Sequence, residues 1–186
     1  MESLARQVLA RPDPSSHLMQ LYESDSRLLE ALELFVMSGL ERGEPVVVIA
    51  TQRHLDDLHR HAGGKGLPLD RARTEGRYLP LEAEETLSRF IVDGWPNAKL
   101  FEATVMGALE RVRPSGRGPV RAYGEMVAVL MRQGNPEATL RLEQLWGPLC
   151  EREQVTLFCG YPRAVFDSHP GALRLVCEAH GHVVPA

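Results

Sequence analysis

The sequence predicts an α/β fold with a mostly parallel central sheet and helices on both faces. Three observations support this. Short apolar segments alternate with segments of helical periodicity along the 186 residues. The run Pro45–Thr51 (PVVVIAT) is apolar on both faces, which is typical of a strand at the centre of a parallel sheet. Helix-start signals such as Asn135-Pro136-Glu137 separate the apolar runs.

The first half of the chain begins this alternation. A strand is predicted at His17–Tyr22, and the Ser24-Asp25-Ser26 segment starts the helix after it, because these side chains accept hydrogen bonds from unpaired backbone N–H groups. That helix ends at Gly43, before the Pro45–Thr51 strand. The next predicted elements are a short helix at His54–His61 that ends before Gly63 and Gly64, a strand at Arg77–Leu81, a helix at Ala83–Val92 and a turn at Asp93–Asn97.

The second half continues the same pattern. The predicted elements are a helix at Lys99–Arg113, a loop at Pro114–Pro119, a strand at Val120–Tyr123, a helix at Met126–Arg132, a helix starting at Asn135, a strand at Val155–Cys159, a last helix opened by Ser168-His169-Pro170 and a final strand at His182–Val184. We expect one domain over residues 15–186, preceded by a segment, residues 1–14, that is poorly ordered or loosely packed.

Composition excludes several classes of protein. The formal net charge is −4, so the basic surplus of a nucleic-acid binder is missing and we expect no direct nucleic-acid partner. No apolar run is long enough to cross a membrane, and no secretory signal is visible. We therefore expect a cytoplasmic protein with no membrane partner, in which Cys150, Cys159 and Cys177 are free thiols.

The chain lacks the motifs of the common enzymes with this fold. Ligands of such sheets bind at the carboxyl ends of the strands, so the segment after the first strand is the first place to look. A phosphate loop would need glycines and a lysine there, but the sequence is Tyr22-Glu23-Ser24-Asp25-Ser26-Arg27. No nucleophile, base and orienting group can be assembled. We expect no enzyme activity and no cofactor; a hydrolase using Glu125 and His17 is the weakest alternative.

An ordered set of short motifs resembles the MEDS domain, the methanogen/methylotroph, DcmR sensory domain. The motifs are His17 with Tyr22-Glu23, Gly39-Leu40-x-x-Gly43-Glu44, Asp93-Gly94, Arg121-x-Tyr123-Gly124-Glu125-Met126, Leu142-Glu143-x-x-Trp146 and Cys159-x-Tyr161-Pro162. The resemblance covers roughly residues 17–183. It implies a RecA/KaiC-like fold without a Walker A phosphate loop, no ATPase activity, and a sensory role in prokaryotic signal transduction and transcription regulation. It also implies a signalling partner such as a histidine kinase or a transcription regulator.

Candidate ligand-binding residues lie where strands of the predicted sheet end. Glu125 follows a strand at the position of the Walker B acid of KaiC-like ATPases, and without a phosphate loop it could anchor a polar ligand. The predicted pocket for a small organic molecule comprises Tyr22, Glu23, Arg121, Tyr123, Glu125, Cys159 and Tyr161, with Arg121 offsetting the acids. The alternative reading of Glu125 is an acid that stabilises a helix N-terminus.

Two further hypotheses stay open. Cys177 and His180 lie three residues apart on one helix face, a spacing that can chelate a metal, but two ligands do not make a site and we expect none. The domain could instead be an interaction module that docks a kinase or a sigma-factor regulator without a small ligand. Homo-oligomers are compatible with either function.

Overall fold

The computed structural model describes residues 2–113 and 118–184, and its strands alternate with helices along the chain. The strands are β1 (His17–Tyr22), β2 (Val46–Ala50), β3 (Tyr78–Glu82), β4 (Ile91–Val92), β5 (Trp95–Pro96), β6 (Val120–Gly124), β7 (Val155–Pro162) and β8 (His182–Val184). The helices are α1 (Glu2–Ala10), α2 (Asp25–Glu41), α3 (Gln52–Gly64), α4 (Leu69–Thr74), α5 (Ala83–Ser88), α6 (Ala98–Val112), α7 (Met126–Arg132), α8 (Pro136–Glu153) and α9 (Pro170–Glu178), with a 3₁₀ helix at Arg163–Phe166.

Six strands form one parallel sheet, which confirms the predicted α/β class. Their order is β3-β2-β6-β7-β1-β8, and every neighbouring pair is parallel. Strand β2 lies inside the sheet and all five of its residues are buried, as its continuous apolar sequence predicts. Because all six strands run the same way, their carboxyl ends meet at one edge of the sheet.

Helices cover both faces of the sheet. Helices α1 to α4 pack on one face, called here the α2 face, where Leu32 and Phe35 meet Tyr123 and Phe158 of the strands. Helices α5 to α9 pack on the other, the α8 face, where Phe101 and Trp146 lie in the larger core cluster. Side chains alternate between the faces along each strand, so the face of each candidate site residue follows from its strand register.

The N-terminal segment differs from the prediction. Residues 1–14 were expected to be poorly ordered or loosely packed, but the structure folds Glu2–Ala10 into α1 and buries Leu9. The guanidinium of Arg121 holds this helix, because its Nη1 and Nη2 donate to the carbonyl oxygens of Leu9 and Ala10, each at 3.1 Å. Arg121 thus adds polar contacts to a helix that also buries Ala5 and Leu9 in the core of the α2 face.

Local boundaries also differ from the predictions. Gly63 and Gly64 do not end α3 early but are its last two residues. Both are exposed, and no atom from elsewhere in the chain lies within 4 Å of where a Cβ would be. The helix predicted at Ala83–Val92 ends at Ser88, and β4 pairs with β5 in an antiparallel hairpin instead. Strand β7 continues past Cys159 to Pro162, because all six residues of β1 pair with its last six residues, Leu157–Pro162. Helix α4 was not predicted, and the predicted loop Pro114–Pro119 lies mostly outside the described residues.

Among the helices that the structure describes, none combines the length and the apolar character needed to cross a membrane.

Candidate functional site

The carboxyl edge of the sheet carries a buried carboxylate, Glu125, directly after β6. Its side chain is only 1% exposed. Its Oε1 accepts a hydrogen bond from the Tyr123 hydroxyl at 3.1 Å and lies 2.5 Å from Nδ1 of His54. Its Oε2 accepts from the backbone N–H of Thr51 at 2.8 Å. Both oxygens therefore have partners, as a buried charge requires.

His54 connects this buried carboxylate to the surface. Its Nε2 lies 3.5 Å from Oδ1 of Asp25, whose side chain is 41% exposed and also pairs with Arg53 at 2.6 Å. Burial alone would lower the pKa of His54, but Glu125 and then Asp25 raise it above its ordinary value. Protonated His54 can donate from Nδ1 to Glu125 and from Nε2 to Asp25. We call Tyr123, Glu125, His54 and Asp25 the Glu125 network.

Tyr22, the last residue of β1, packs against the network. Its ring packs edge-on against that of His54, with centroids 6.4 Å apart, and its side chain is buried. Burial and the nearby Glu125 carboxylate raise the pKa of Tyr22, so its hydroxyl stays protonated. Gly160 leaves room for the network, because a Cβ there would lie 2.5 Å from the Tyr123 hydroxyl.

An open cleft of about 400 Å³ lies beside the network. Its lining is formed by the β1–α2 connection and the segment after β7, and comprises Tyr22, Glu23, Ser24, Asp25, Pro162, Arg163, Ala164 and Asp167. Three of these side chains are acidic and one is basic. Glu125 itself does not line the cleft, but Asp25 does, and Asp25 lies 3.5 Å from His54, which contacts Glu125.

Comparisons with known proteins identify the family. The family model described as "MEthanogen/methylotroph, DcmR Sensory domain" (MEDS) matches residues 16–180. The chain belongs to the MEDS family. No curated protein matches this MEDS domain.

Solved structures are similar to this MEDS domain in fold. A KaiC-like protein from Pyrococcus horikoshii OT3 is 15% identical with a TM-score of 0.57, and the match covers 81% of this chain and 65% of that protein. The MEDS domain thus spans less than two thirds of that KaiC-like chain. A second protein from Pyrococcus horikoshii OT3, from a structural study, is 14% identical with a TM-score of 0.62, covering 97% and 86%. These matches confirm the KaiC-like fold.

The connection where KaiC-like ATPases carry their phosphate loop is very short in this MEDS domain. Only Glu23 and Ser24 separate β1 from α2. The Ser24 hydroxyl caps α2 by accepting from the backbone N–H of Arg27 at 3.4 Å. A connection of two residues is too short to surround a phosphate. One of the backbone N–H groups at the start of α2 that could bind a phosphate already donates to the Ser24 hydroxyl. The fold is therefore RecA/KaiC-like without Walker A, as predicted.

The predicted pocket residues are divided between the two faces of the sheet. Tyr22 and Tyr123 lie on the α2 face with the Glu125 network, and exposed Glu23 lines the cleft. Cys159 and Tyr161 lie on the α8 face, because Tyr123 pairs in register with Phe158 and not with Cys159. The sheet therefore separates residues that the sequence placed in one pocket.

Arg121 lies at the opposite end of β6 from Glu125, about 13 Å away along the strand. It pairs with Glu44 at 2.5 Å and donates to the Phe35 carbonyl at 2.9 Å, beneath the α1 helix that it holds. Its guanidinium is thus engaged at the amino end of the strand. In the structure the cation beside Glu125 is His54.

The α8 face holds a second buried polar cluster around Glu143. His17 Nε2 lies 3.1 Å from Oε2 of Glu143, and His180 Nε2 lies 3.3 Å from Oε1. The Tyr161 hydroxyl donates to Oε1, and the Cys159 thiol is 3.8 Å from Oε2. We call His17, Glu143, Cys159 and His180 the Glu143 cluster.

Electrostatics in the Glu143 cluster follow from its burial. Burial would raise the pKa of Glu143, but His180 and His17 hold it below its ordinary value. Burial would lower the pKa of His180, yet Glu143 raises it. Burial, followed by Glu143, raises the pKa of Cys159 and of Tyr161 well above their ordinary values.

Neither His54 nor Glu143 was predicted as a site residue, although each had a signal in the sequence. His54 precedes the apolar Leu58 by one helical turn, and both side chains are buried on the same face of α3. Glu143 belongs to a second apolar stripe of α8, with Thr139, Trp146 and Cys150 at helical spacing. A charged residue inside a buried stripe indicates a specific partner across the interface.

Proposed function

We propose that this MEDS domain is a non-catalytic sensory domain in signal transduction that takes a small organic ligand at the carboxyl edge of its sheet. The family supports a sensory role, and the cleft beside Asp25 supports the location. The observation that carries the proposal is the His54 bridge between half-exposed Asp25 and buried Glu125. A ligand that pairs with Asp25 would change the negative charge that faces Nε2 of His54.

The chemistry of the cleft favours a small ligand that donates hydrogen bonds. Glu23, Asp25 and Asp167 offer carboxylate acceptors, while Arg163 is the one basic residue among the residues lining it. Small alcohols, amines and amides match this lining better than phosphates, which the acids would repel. The signal requires that the ligand bind two states of the network with different affinity.

Thermal shift measurements with a panel of short-chain alcohols, amines and amides test the sensory proposal. We expect at least one compound to raise the Tm of the wild-type chain in a saturable way, and Asp25→Asn to weaken that response about tenfold or more. Asp70→Asn, on the exposed start of α4, is the matched control. A panel without any saturable response, or equal responses in Asp25→Asn, would contradict the location of the ligand.

We also propose that the domain binds no ATP tightly and hydrolyses no nucleotide. Glu23 and Asp25 lie where a triphosphate would need cations, and the two-residue β1–α2 connection offers no backbone cradle. Calorimetry with Mg²⁺ and ATP should show no tight binding. Micromolar affinity would overturn this part of the proposal.

An exposed apolar pair favours a second candidate, the interaction module. Val92 and Trp95 are paired across the β4–β5 hairpin and are 46% and 48% exposed. Large apolar side chains on a surface hairpin are typical of a protein contact. Binding to a purified histidine kinase or transcription regulator that is weakened by Trp95→Ser, but not by Asp25→Asn, would favour this candidate over the ligand sensor.

A further inference from the structure

The Glu143 cluster brings together four metal-ligating side chains from four separate segments. His17 opens β1, Glu143 lies in the middle of α8, Cys159 lies in β7, and His180 follows α9. All four are buried, and one donor atom from each lies within 4.8 Å of all the others. The cluster is on the α8 face, on the other side of the sheet from the Glu125 network. It is therefore independent of the proposed ligand cleft.

Three distances within the cluster are close to the edges of a coordination tetrahedron. Ligand–metal bonds of about 2.0–2.3 Å place tetrahedral donor atoms roughly 3.3–3.8 Å apart. His17 Nε2 lies 3.4 Å from the Cys159 sulfur and 3.1 Å from Oε2 of Glu143. His180 Nε2 lies 3.3 Å from the other carboxylate oxygen, Oε1, and within 4.8 Å of a ligand atom of each of the other three residues. The Cys159 sulfur lies 3.8 Å from Glu143. The four donor atoms are therefore close enough together to share one ion, and His180 would move toward the other three to complete the tetrahedron.

Hydrogen bonding leaves a nitrogen of His180 available to a metal. Nδ1 lies 2.7 Å from the Val176 carbonyl and donates to it, so the neutral ring carries its lone pair on Nε2. That Nε2 is buried, has no hydrogen-bond partner among the described residues, and faces the Glu143 carboxylate. A lone pair facing a carboxylate is repulsive unless a cation lies between them or the ring is protonated. Backbone carbonyls hold metal-ligating histidines in this way.

Tyr161 supplies a second supporting contact. Its hydroxyl donates to Glu143 Oε1, which leaves Oε2 directed toward His17 and Cys159. A carboxylate fixed by an outer hydrogen bond is the usual arrangement for a ligating acid. Tyr161 would thus be a positioning residue and not a ligand.

We propose that His17, Glu143, Cys159 and His180 form a four-coordinate site for a divalent transition metal of the zinc type. One sulfur, two imidazole nitrogens and one carboxylate oxygen suit zinc or cobalt and not magnesium or calcium, which prefer oxygen ligands alone. All four ligands come from the protein, which is typical of a closed structural site. This proposal departs from the expectation from the sequence, which was that no metal is bound, and it uses Cys159 where the weak alternative paired Cys177 with His180.

A metal at this position would connect the C-terminal segment to the centre of the sheet. His180 lies between α9 and β8, and β8 is the edge strand that pairs with β1. His17 and Cys159 belong to β1 and β7, the neighbouring strands inside the sheet. Binding would stabilise the folded state by mass action and would hold α9 and β8 against the rest of the domain.

Metal analysis of the full chain, purified without chelators or a metal-affinity tag, tests the site. We expect about one zinc per chain after zinc is added and excess metal is removed. Cobalt substituted for zinc should show thiolate-to-metal charge transfer and intense tetrahedral d–d absorption. Cys177→Ser should keep both signals and is the matched control, because its thiol lies three residues from His180 but outside the cluster.

Cys159→Ser should lose the charge-transfer band, and Tyr161→Phe should weaken zinc binding about 10–100-fold in competition with a chromophoric chelator. If Cys159→Ser does not fold, the cobalt spectrum of the wild-type chain decides whether a thiolate is bound. A folded wild-type chain that takes up neither metal would overturn the proposal and leave the cluster as an ion pair of Glu143 with imidazolium. Loss of the thiolate signal in Cys177→Ser, or unchanged affinity in Cys159→Ser, would also overturn it.

Discussion

His54 and Glu125 are 71 residues apart in the sequence, yet Nδ1 of one lies 2.5 Å from Oε1 of the other at the carboxyl edge of the sheet. Helix α3 brings the histidine and β6 brings the acid, and Thr51 at the start of α3 donates its backbone N–H to the same carboxylate. The pair is therefore held from both the backbone and the side chains. The pair predicts that the contribution of His54 to stability depends on pH.

The contribution of His54 to stability should depend on pH. The folded-state pKa of His54 is raised above its ordinary value, because Glu125 and Asp25 outweigh burial, while Tyr22 faces it uncharged and Arg53 pairs with Asp25. Because its pKa is higher in the folded state, protonated His54 stabilises the folded chain. This contribution is fully present below the unfolded-state pKa of about 6.5, and it is lost as the pH rises through the folded-state pKa. We expect His54→Gln to cost about 1.5–3 kcal/mol at pH 6 and less at pH 9.

Urea unfolding of both chains at the two pH values checks this prediction. Taking the difference between wild type and His54→Gln removes the titration of other histidines. His182→Gln, at an exposed position, is the control and should show no such pH-dependent difference. A cost that is the same at both pH values would mean that His54 is neutral in the folded chain.

Glu125→Gln should destabilise the fold by about 1–3 kcal/mol, because an amide places a donor where the carboxylate accepted hydrogen bonds. One of its partners, the Thr51 N–H, the Tyr123 hydroxyl or His54, loses its acceptor. Urea unfolding measures the loss, and Glu84→Gln, at an exposed position of α5, is the control. Unchanged stability together with weaker binding of a cleft compound would instead assign Glu125 a direct role in the ligand site.

Gly160→Ala should displace the Tyr123 hydroxyl from Glu125. The added Cβ would lie 2.5 Å from that oxygen and 3.2 Å from a methyl carbon of Leu28, so a neighbour must move. Overpacking of this kind costs about 1–3 kcal/mol. Gly107→Ala in α6 is the matched control, since nothing lies within 4 Å of its Cβ and alanine favours a helix by about 1 kcal/mol. Equal stability of the two variants would contradict this prediction, because it would show that Tyr123 and Leu28 move away from the added Cβ without loss of stability.

Arg121→Lys should release α1 from the sheet. An ammonium cannot reproduce the contacts that the guanidinium makes with Glu44, the Phe35 carbonyl and the α1 carbonyls. We expect a loss of about 3 kcal/mol and faster amide exchange in Glu2–Ala10. Arg111→Lys, on the exposed side of α6, should change neither. Unaltered exchange in α1 would show that apolar contacts such as that of Leu9 hold the helix without Arg121.

The strands could be read from the sequence because a buried parallel strand carries its own signal. The predicted bounds of β1 at His17–Tyr22 and β8 at His182–Val184 agree with the structure, and those of β2 differ by one residue at each end. The apolar valines of β2 require burial on both faces wherever the strand lies. Local capping chemistry likewise located the starts of α2 and α8.

The site was harder to predict, because contacts between residues distant in sequence decide it. The predicted ends of two strands indicate that Glu125 and Cys159 lie at the same edge of the sheet. They do not indicate on which face of the sheet the side chains next to them lie. The register of β6 against β7 pairs Tyr123 with Phe158, which separates Tyr123 from Cys159 and Tyr161. A shift of one residue would have joined them, and single strands do not encode that register.

By itself, the sequence determined the α/β class, the parallel sheet and the missing phosphate loop, since each depends on local composition and periodicity. Only the tertiary structure decided which charges meet. It placed His54 against Glu125 and His17 and His180 against Glu143, and it directed Arg121 to the carbonyls of α1. The physical reason is that a buried charge is stabilised by partners from other elements, and no local pattern specifies which element supplies them.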